Sequence, residues 1–320
     1  MNTIPSTLDD RKPTYTVVGG HRAQACPDGS PVSVLLLNRG PRLSRASMLD
    51  ELLSAGFQSV VSVDAGDPPP ELETLSGRFP QVRFVFLREK AGPGDMVNAG
   101  MRESCGPYVL VLWNDQRLAS STLSSRFLDR VVELDSAVLV PELRDVGGSL
   151  LPSVMHPAME GAHIRVIGLP PKGDGEKSVF PFDYAGIYSK ARFSLLGGYD
   201  WTIEKPHWQK MDFGFRSWLM GERILHAQAL KLNYQGTVDA DDATADASYG
   251  RFWLKNLGPL FRDDKAYLPS SRLFRFLLRS GLGLFGSVSE FRQARSWVKH
   301  NQYRFRQDAA RVVQLWDPLE

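Results

Sequence analysis

The chain has 320 residues, of which 42% are hydrophobic and 23% are charged, close to the usage of ordinary globular proteins. This composition excludes a disordered protein and supplies enough apolar material for a sizeable core. The formal net charge is only +2, so the average charge indicates neither an acidic nor a basic partner. The length suits two average domains or one elaborated α/β domain.

Two cysteines, Cys26 and Cys105, are too few for a disulfide framework or a structural zinc site, and they favour a reducing compartment. Charged residues occupy positions 9–12, where an export signal would need an apolar segment. No apolar run reaches the roughly 18–20 residues of a membrane span. We therefore expect a cytoplasmic protein whose residues 1–30 form a loosely packed leader, with one short strand at Tyr15–Val18.

The hydrophobic pattern predicts an alternation of strands and helices. The predicted strands are Val32–Leu37, 60–63, Val82–Leu87, Tyr108–Trp113, 137–140 and 230–234, and the predicted helices are 43–55, 95–104, 123–134 and 212–220. Residues 141–182 are rich in Pro and Gly, which indicates a working loop or a small subdomain. The repeated β-loop-α-β order predicts an α/β fold with a mostly parallel, doubly wound sheet.

Polar residues follow three of the predicted strands. Asn38 and Arg39 follow the first long strand, Asp64 follows the next, and Asn114 and Asp115 follow Trp113. Ligands of such sheets bind at the carboxyl ends of the strands. These residues are therefore the first candidates for a binding site.

Four collinear segments carry a resemblance to a known family. They are Val32-Ser-Val-Leu-Leu-Leu-Asn38-Arg39, then Val60-Val-Ser-Val-Asp64, then 98–115, and finally Leu196-Gly-Gly-Tyr-Asp200 with Asp212-Phe-Gly-Phe-Arg216. In this order they resemble a glycosyltransferase of family 2, which has the GT-A fold, over about residues 32–242. We accordingly expect a GT-A domain at 31–259 and a basic helical extension at 260–320.

The resemblance implies a sugar transfer from a nucleoside-diphosphate sugar, with inversion and with Mg²⁺ or Mn²⁺ at the diphosphate. It implies donor binding by Asn38, Arg39, Asp64, Asn98, Asn114 and Asp115. A hard divalent cation would use carboxylate oxygens to neutralise the leaving diphosphate. A separate carboxylate would take the proton of the acceptor hydroxyl. The acceptor would be a glycan or a lipid-linked molecule.

The sequence departs from the family pattern at both catalytic motifs. Trp113 stands where the first acid of Asp-x-Asp is expected, and Gln209-Lys210 stands where the Glu-Asp pair is expected. An ammonium has no lone pair and cannot act as a base. The hypothesis is therefore that relocated acids act, with Asp115, Asp241 and Asp242 as metal ligands beside Asp239, and with Asp212 as the base and Glu204 behind it.

Each candidate also has a plainer interpretation. Asp115 could be a loop acid, Asp64 a turn cap, Asp212 a helix N-cap, and Asp241-Asp242 a turn. Aromatic residues near the signature region fit either an acceptor platform or the core. We expect Trp208, Tyr199 and Arg216 to contact the acceptor, although Arg216 or Lys210 could instead stabilise phosphate.

The rival function is a non-catalytic nucleotide- or glycan-binding protein. A nucleotidyltransferase would need a Gly-rich basic loop, for which 38–41 is a poor substitute.

The C-terminal extension is strongly basic, with eleven Lys and Arg and four acids in residues 260–312. Apolar residues interleave with Arg272, Arg275 and Arg279, as in a basic amphipathic helix that lies on an anionic membrane. Peripheral association with the inner membrane face, packing on the domain and a nucleic-acid contact all fit this pattern, although nucleic acid is not the expected partner. Gly281, Gly283 and Gly286 argue against one long helix.

Overall fold

The structure is a computed structural model that describes residues 13–20, 31–40, 45–88, 90–119, 125–160, 163–238, 241–278 and 280–316, together with Pro5 and Asp10. Its strands are β1 (Tyr15–Val18), β2 (Val32–Leu37), β3 (Val60–Ala65), β4 (Val82–Leu87), β5 (Tyr108–Trp113), β6 (Gln116–Leu118), β7 (Val138–Arg144), β8 (Val154–Glu160), β9 (His163–Leu169), β10 (Gly186–Ser189), β11 (Ile224–Tyr234), β12 (Leu260–Arg262) and β13 (Lys265–Tyr267).

A large mixed sheet forms the centre of this α/β fold. In the described part of the chain it has nine strands, in the order β1-β4-β3-β2-β5-β10-β7-β11-β6. The strands β1, β10 and β6 run against the other six, so the sheet is mostly parallel, as the sequence predicts. The middle strands are buried on both faces, which explains why β2 reads as a continuous apolar run.

Helices cover both faces of the sheet. They are α1 (Arg45–Ser54), α2 (Leu72–Arg78), α3 (Pro93–Glu103), α4 (Ser125–Glu133), α5 (Lys190–Leu196), α6 (Pro206–Leu219), α7 (Ala247–Phe252), α8 (Ser271–Leu277), α9 (Gly283–Asn301) and α10 (Ala309–Gln314). Met48, Leu49 and Leu52 of α1 pack on one face, with α4. The opposite face packs against α3, α5 and α6. Among the described residues, no helix combines the length and the apolar composition needed to cross a bilayer.

The segment 141–182 contains the hairpin of β8 and β9, which pairs Val154 with Leu169. It is thus a small substructure, one of the two alternatives that the sequence left open. Several elements were not predicted from the sequence, among them β10 and α2. The four-residue strand β10 inserts antiparallel between β5 and β7, and α2 is only two turns long.

A third apolar core joins α6 to the C-terminal residues. Trp208, Met211 and Phe215 of α6 share this core with residues from α7, α8, α9 and α10, such as Trp297. It therefore crosses the predicted boundary at 259/260, and the buried faces of the extension pack on the domain. Helix α8 ends at Leu277 and α9 begins at Gly283, so the extension is not one long helix, as its glycines predict.

Candidate functional site

The carboxyl ends of β2, β3 and β5 lie side by side because these strands are parallel neighbours. Asn114 ties two of these ends together: its Oδ1 accepts from the Arg39 amide at 3.1 Å, and its Nδ2 donates to the Arg39 carbonyl at 3.0 Å. Asn38 Nδ2 donates to Asp64 Oδ2 at 3.2 Å. Five predicted residues thus meet in one place. We name it the strand-end crevice, formed by residues 38–39, 64, 114–115 and 183.

Arg39 is the central charge of the strand-end crevice. Its Nε and Nη2 donate to the two oxygens of Asp115 at 2.9 and 3.1 Å, a two-pronged ion pair. Its Nη2 also lies 2.9 Å from Asp183 Oδ2, and the guanidinium carbon stands 4.4 Å from the centre of the Trp113 ring. Burial alone would lower the pKa of Arg39, but the charges of Asp183 and Asp115 outweigh it and raise the pKa. Trp113 therefore supports a cation at the position where the family pattern expects an acid.

Asp183 also belongs to the crevice, although no sequence motif marks it. It accepts a hydrogen bond from the Tyr234 hydroxyl at 2.8 Å, while its carbonyl accepts from Trp113 Nε1 at 2.8 Å. Burial raises the pKa of its carboxyl and outweighs the opposing charges of Arg39 and Lys210. Both Asp183 and Tyr184 have left-handed backbone, with φ of 48° and 62°. No local sequence pattern indicates such a turn, so only the fold reveals this carboxylate.

The β3 side of the crevice contains polar atoms without partners. Arg45, the first residue of α1, forms a buried ion pair with Asp64. Its Nε and Nη1 nevertheless have no hydrogen-bond partner within the described residues, and the same holds for Oδ1 of Asn38. Buried polar groups are normally satisfied by the protein or by a ligand, and residues 41–44, directly before Arg45, lie outside the described ranges.

Asn98 and Tyr199, predicted to bind the donor and the acceptor, lie inside the core instead. The Asn98 side chain exchanges two hydrogen bonds with the Tyr199 backbone, at 2.8 and 2.9 Å, and so fastens α3 to the glycine turn before Tyr199. The Tyr199 ring is fully buried and packs 4.6 Å from the Phe213 ring. These positions contradict both assignments, because neither side chain reaches the crevice.

Asp212, the predicted base, and Arg216, a predicted acceptor contact, form a buried ion pair at 2.7 Å. Asp212 also accepts from Asn256 and lies 2.8 Å from Lys255 Nζ, both in the π-helical turn Trp253–Leu257 that extends α7. Burial alone would raise the pKa of Asp212, but the charges of Arg216 and Lys255 lower it. The carboxylate has no exposed surface, so the structure contradicts its role as a base.

Asp212 is buried because α6 starts earlier than the sequence predicts. The helix begins at Pro206 rather than near 212, so Asp212 lies in its interior, facing the core, and not at an N-cap. Trp208, the best predicted acceptor contact, is also buried: its indole donates to the Thr244 carbonyl at 3.1 Å, and its ring packs on Tyr249. The aromatic residues around the signature region thus form core rather than a platform.

The predicted metal ligands are separately paired with cations. Asp115 is held by Arg39, Asp241 lies 2.6 Å from Lys210 Nζ, and Asp242 lies 2.7 Å from Lys205 Nζ. Asp239 lies outside the described residues. Within the described ranges, no three His, Cys, Asp or Glu side chains are grouped so that they could hold a metal ion. The predicted set of Asp115, Asp241 and Asp242 is therefore not assembled, and the described residues do not fit Mg²⁺ or Mn²⁺.

No family model and no curated protein matches the sequence. Solved structures do match. The structure of S. aureus TarS has 15% identity and a TM-score of 0.50 over 70% of this chain and 38% of that chain. The structure of GalNAc-T7 with UDP, GalNAc and Mn²⁺ has 12% identity and a TM-score of 0.59 over 91% of this chain and 59% of that chain. This chain thus spans less than two thirds of the length of either. Both neighbours are GT-A glycosyltransferases, and the mixed α/β chain described here shares their fold.

Proposed function

We propose that this protein is a glycosyltransferase that moves a sugar from a nucleoside-diphosphate sugar to the hydroxyl of a glycan or a lipid-linked acceptor. The observation that carries the proposal is the strand-end crevice, where a fork-shaped cation and unpaired buried polar atoms lie at the ends of adjacent parallel strands. The GT-A fold and the likeness to a structure containing UDP, GalNAc and Mn²⁺ support it.

The nucleobase would occupy the β3 side of the crevice. Among the described residues, Asn38 Oδ1 has no donor, and Nε and Nη1 of Arg45 have no acceptor. The edge of a nucleobase offers both kinds of group, so it would satisfy these atoms of Asn38 and Arg45 together. An inorganic anion would leave the acceptor on Asn38 unpaired.

The diphosphate would lie against Arg39. Its side chain is 34% exposed, in contrast to that of Lys210, which is 2% exposed. When the sugar leaves, negative charge grows on the diphosphate, and its oxygens would take over from Asp115 the hydrogen bonds of Arg39 Nε and Nη2. The charge of Lys210, which is paired with Asp241, also acts to lower the pKa of Asp183, so Lys210 adds positive potential at the crevice. We therefore assign the neutralisation of the leaving group to these cations and expect no divalent cation to be required.

Asp183 is the carboxylate best suited to accept the acceptor's proton. The acceptor oxygen would attack the anomeric carbon as the bond from that carbon to the diphosphate breaks, and the hydroxyl proton would pass to Asp183. Its pKa lies above the ordinary value, whereas the pKa of Asp241 is lowered to about 2. A carboxylate of higher pKa is the stronger base.

Calorimetric titration tests the donor site. We would titrate UDP, GDP, CDP and dTDP, and the matching nucleosides, in EDTA and in Mn²⁺. Binding of one diphosphate should persist in EDTA. Arg39→Gln should weaken the diphosphate at least about tenfold and the nucleoside little, because the proposed site places the phosphates, and not the nucleoside, against Arg39. Asp64→Asn should weaken both ligands. Arg78→Gln, which removes a surface arginine, is the matched control.

Three results would contradict parts of this proposal. Absence of binding by every nucleotide would remove the donor site. Binding that needs Mn²⁺ and disappears in Asp115→Asn would restore the carboxylate-metal arrangement that the sequence indicates. Release of the sugar from the bound donor that is unchanged in Asp183→Asn would exclude Asp183 as the base.

A second function is favoured by one observation. Gln209 and Lys210 stand where the family pattern expects an acidic pair, and both are buried. The Gln209 side chain accepts a hydrogen bond from the Gly94 amide and donates one to the Asp200 carbonyl. A chain that has exchanged its base for a structural amide could bind a nucleotide sugar without turnover. Tight donor binding with no sugar release, in wild type and in Asp183→Asn alike, would establish this non-catalytic function.

A further inference from the structure

A cluster of apolar side chains is exposed between α8 and the start of α9. Twelve large apolar side chains are exposed in the described part of the chain, and five of them fall within residues 274–285. They are Phe274, Leu278, Leu282, Leu284 and Phe285, which we name the 274–285 surface. Phe285 is 89% exposed and Leu278 is 72% exposed. Soluble monomers rarely expose such a contiguous set unless it binds something.

The fold holds these side chains outward. Phe276, on the inner side of α8, is buried and its ring stacks on that of Trp253. Ser287, one turn into α9, is fully buried and its Oγ lies 2.6 Å from the Oγ of Ser280. Both ends of the connection are therefore anchored, and the intervening residues 281–286 are all exposed. A neighbouring apolar cavity of about 440 Å³, lined by Trp253, Phe276 and Gly281 among others, adds to this apolar area.

The segment that carries the surface has charge of one sign. Residues 270–289 contain Arg272, Arg275 and Arg279 and no acidic residue. The side chain of Arg275 is exposed and also lines the cavity, whereas Arg279 lies outside the described residues. Exposed Phe and Leu beside arginines match a bilayer interface, where apolar groups enter the acyl region and cations meet anionic headgroups. Asp246, an acid that lines the cavity, caps α7 and lies 3.5 Å from Lys205 Nζ, so it does not neutralise the arginines.

We propose that the 274–285 surface docks on an anionic phospholipid bilayer, with Leu284 and Phe285 inserted below the headgroups and Arg272 and Arg275 at the lipid phosphates. The buried side of the C-terminal helices keeps its packing on α6 in this arrangement. The proposal uses no residue of the strand-end crevice. It can therefore fail while nucleotide binding holds, and the reverse is equally true.

Vesicle flotation with the full chain tests the docking. The probes are vesicles of phosphatidylcholine alone and of phosphatidylcholine with phosphatidylglycerol. The wild-type protein should float with the anionic vesicles, and less so in high salt, because salt screens the arginines. The double variant Leu284→Ser/Phe285→Ser should lose at least about tenfold in partitioning for each side chain removed. Leu195→Ser, which changes an equally exposed leucine on α5, should float like the wild type.

Both substituted residues are exposed, so the double variant should unfold at the wild-type temperature, which circular dichroism can verify. The proposal is overturned if the wild type does not float, if the double variant floats equally well, or if neutral and anionic vesicles bind alike. It is also overturned if sedimentation shows a wild-type dimer that the double variant converts to a monomer. In that case the surface would be an interface between two copies of the chain.

Discussion

Replacing Asp212 by Asn separates a structural role from a catalytic one. Asp212 lies in a buried group of two carboxylates and two cations, which it forms with Asp200, Lys255 and Arg216. The wild-type group is electrically balanced. Asp212→Asn keeps the shape of the side chain but leaves one positive charge without compensation. We therefore expect the variant to be strongly destabilised rather than merely inactive.

The size of the destabilisation depends on the partners that Lys255 and Arg216 keep in the variant. Lys255 retains Asp200 at 2.6 Å, and Arg216 retains the Gly198 carbonyl at 2.8 Å, so both stay partly paired. Removing one partner from a buried ion pair costs about 3–5 kcal/mol. For a chain of this size each kcal/mol corresponds to about 2 °C, which gives a fall in Tm of about 6–10 °C. That loss is a large fraction of the about 5–15 kcal/mol that stabilises a typical domain.

Thermal and urea unfolding, followed by circular dichroism, measure this loss. Asp50→Asn, which breaks the exposed pair with Arg78, is the control and should cost at most about 1 kcal/mol. The double variant Asp212→Asn/Arg216→Met restores electrical balance, so it should be more stable than two independent losses would allow. The reasoning is refuted if Asp212→Asn unfolds within about 1 kcal/mol of wild type. If that stable variant had also lost sugar transfer, Asp212 would be the base after all.

Two further predictions concern packing and pH. A Cβ at Gly214 would lie 2.0 Å from the Val179 carbonyl oxygen, so Gly214→Ala should cost about 3 kcal/mol in urea unfolding. The control is Gly77→Ala, where a Cβ would have no atom within 4 Å, and this variant should be neutral or stabilising. Equal stability of the two variants would contradict the prediction. Burial would raise the pKa of Asp241, but His207 and Lys210 outweigh it and lower the pKa to about 2. The unfolded pKa is about 3.9, so the stability from this pair is complete above about pH 4 and disappears as the pH falls through about 2. The difference in unfolding free energy between wild type and Asp241→Asn should therefore shrink from pH 6 to pH 3, and a constant difference would refute it.

The sheet was predictable because burial on both faces leaves a strong trace in the sequence. The strands β2, β4 and β5 have the predicted bounds, and the polar residues after β2, β3 and β5 do meet at one edge. In a parallel sheet, strand direction alone brings those ends together. Elements with a weaker hydrophobic pattern were not predicted or were predicted with other bounds. The helix α6 was given a start six residues too late, because its first turn contains polar residues as well as Pro206.

The candidate site was less predictable because its partners come from distant segments. Nothing near Asp115 in the sequence shows that Arg39 holds it, and nothing near Asp212 shows that Lys255 lies 2.8 Å away. Asp183 depends on a left-handed turn that no residue type at 183–184 requires. A sequence pattern ranks acids by their neighbours along the chain. Whether an acid is a ligand, a base or half of an ion pair depends on its neighbours in space.

The replaced motif residues are better explained as a changed site than as an abandoned one. Trp113 supplies a ring to Arg39, and Lys210 supplies a charge to Asp241, so each replacement has a defined partner. Partly exposed ion pairs contribute little to stability, so stability alone does not account for a cation held between Asp115 and Asp183 at a crevice. An abandoned site would also have no reason to bury Arg45 with two nitrogens that find no acceptor among the described residues. A ligand that brings its own acceptors and negative charge accounts for both features, and this is the physical basis for placing a nucleoside diphosphate there.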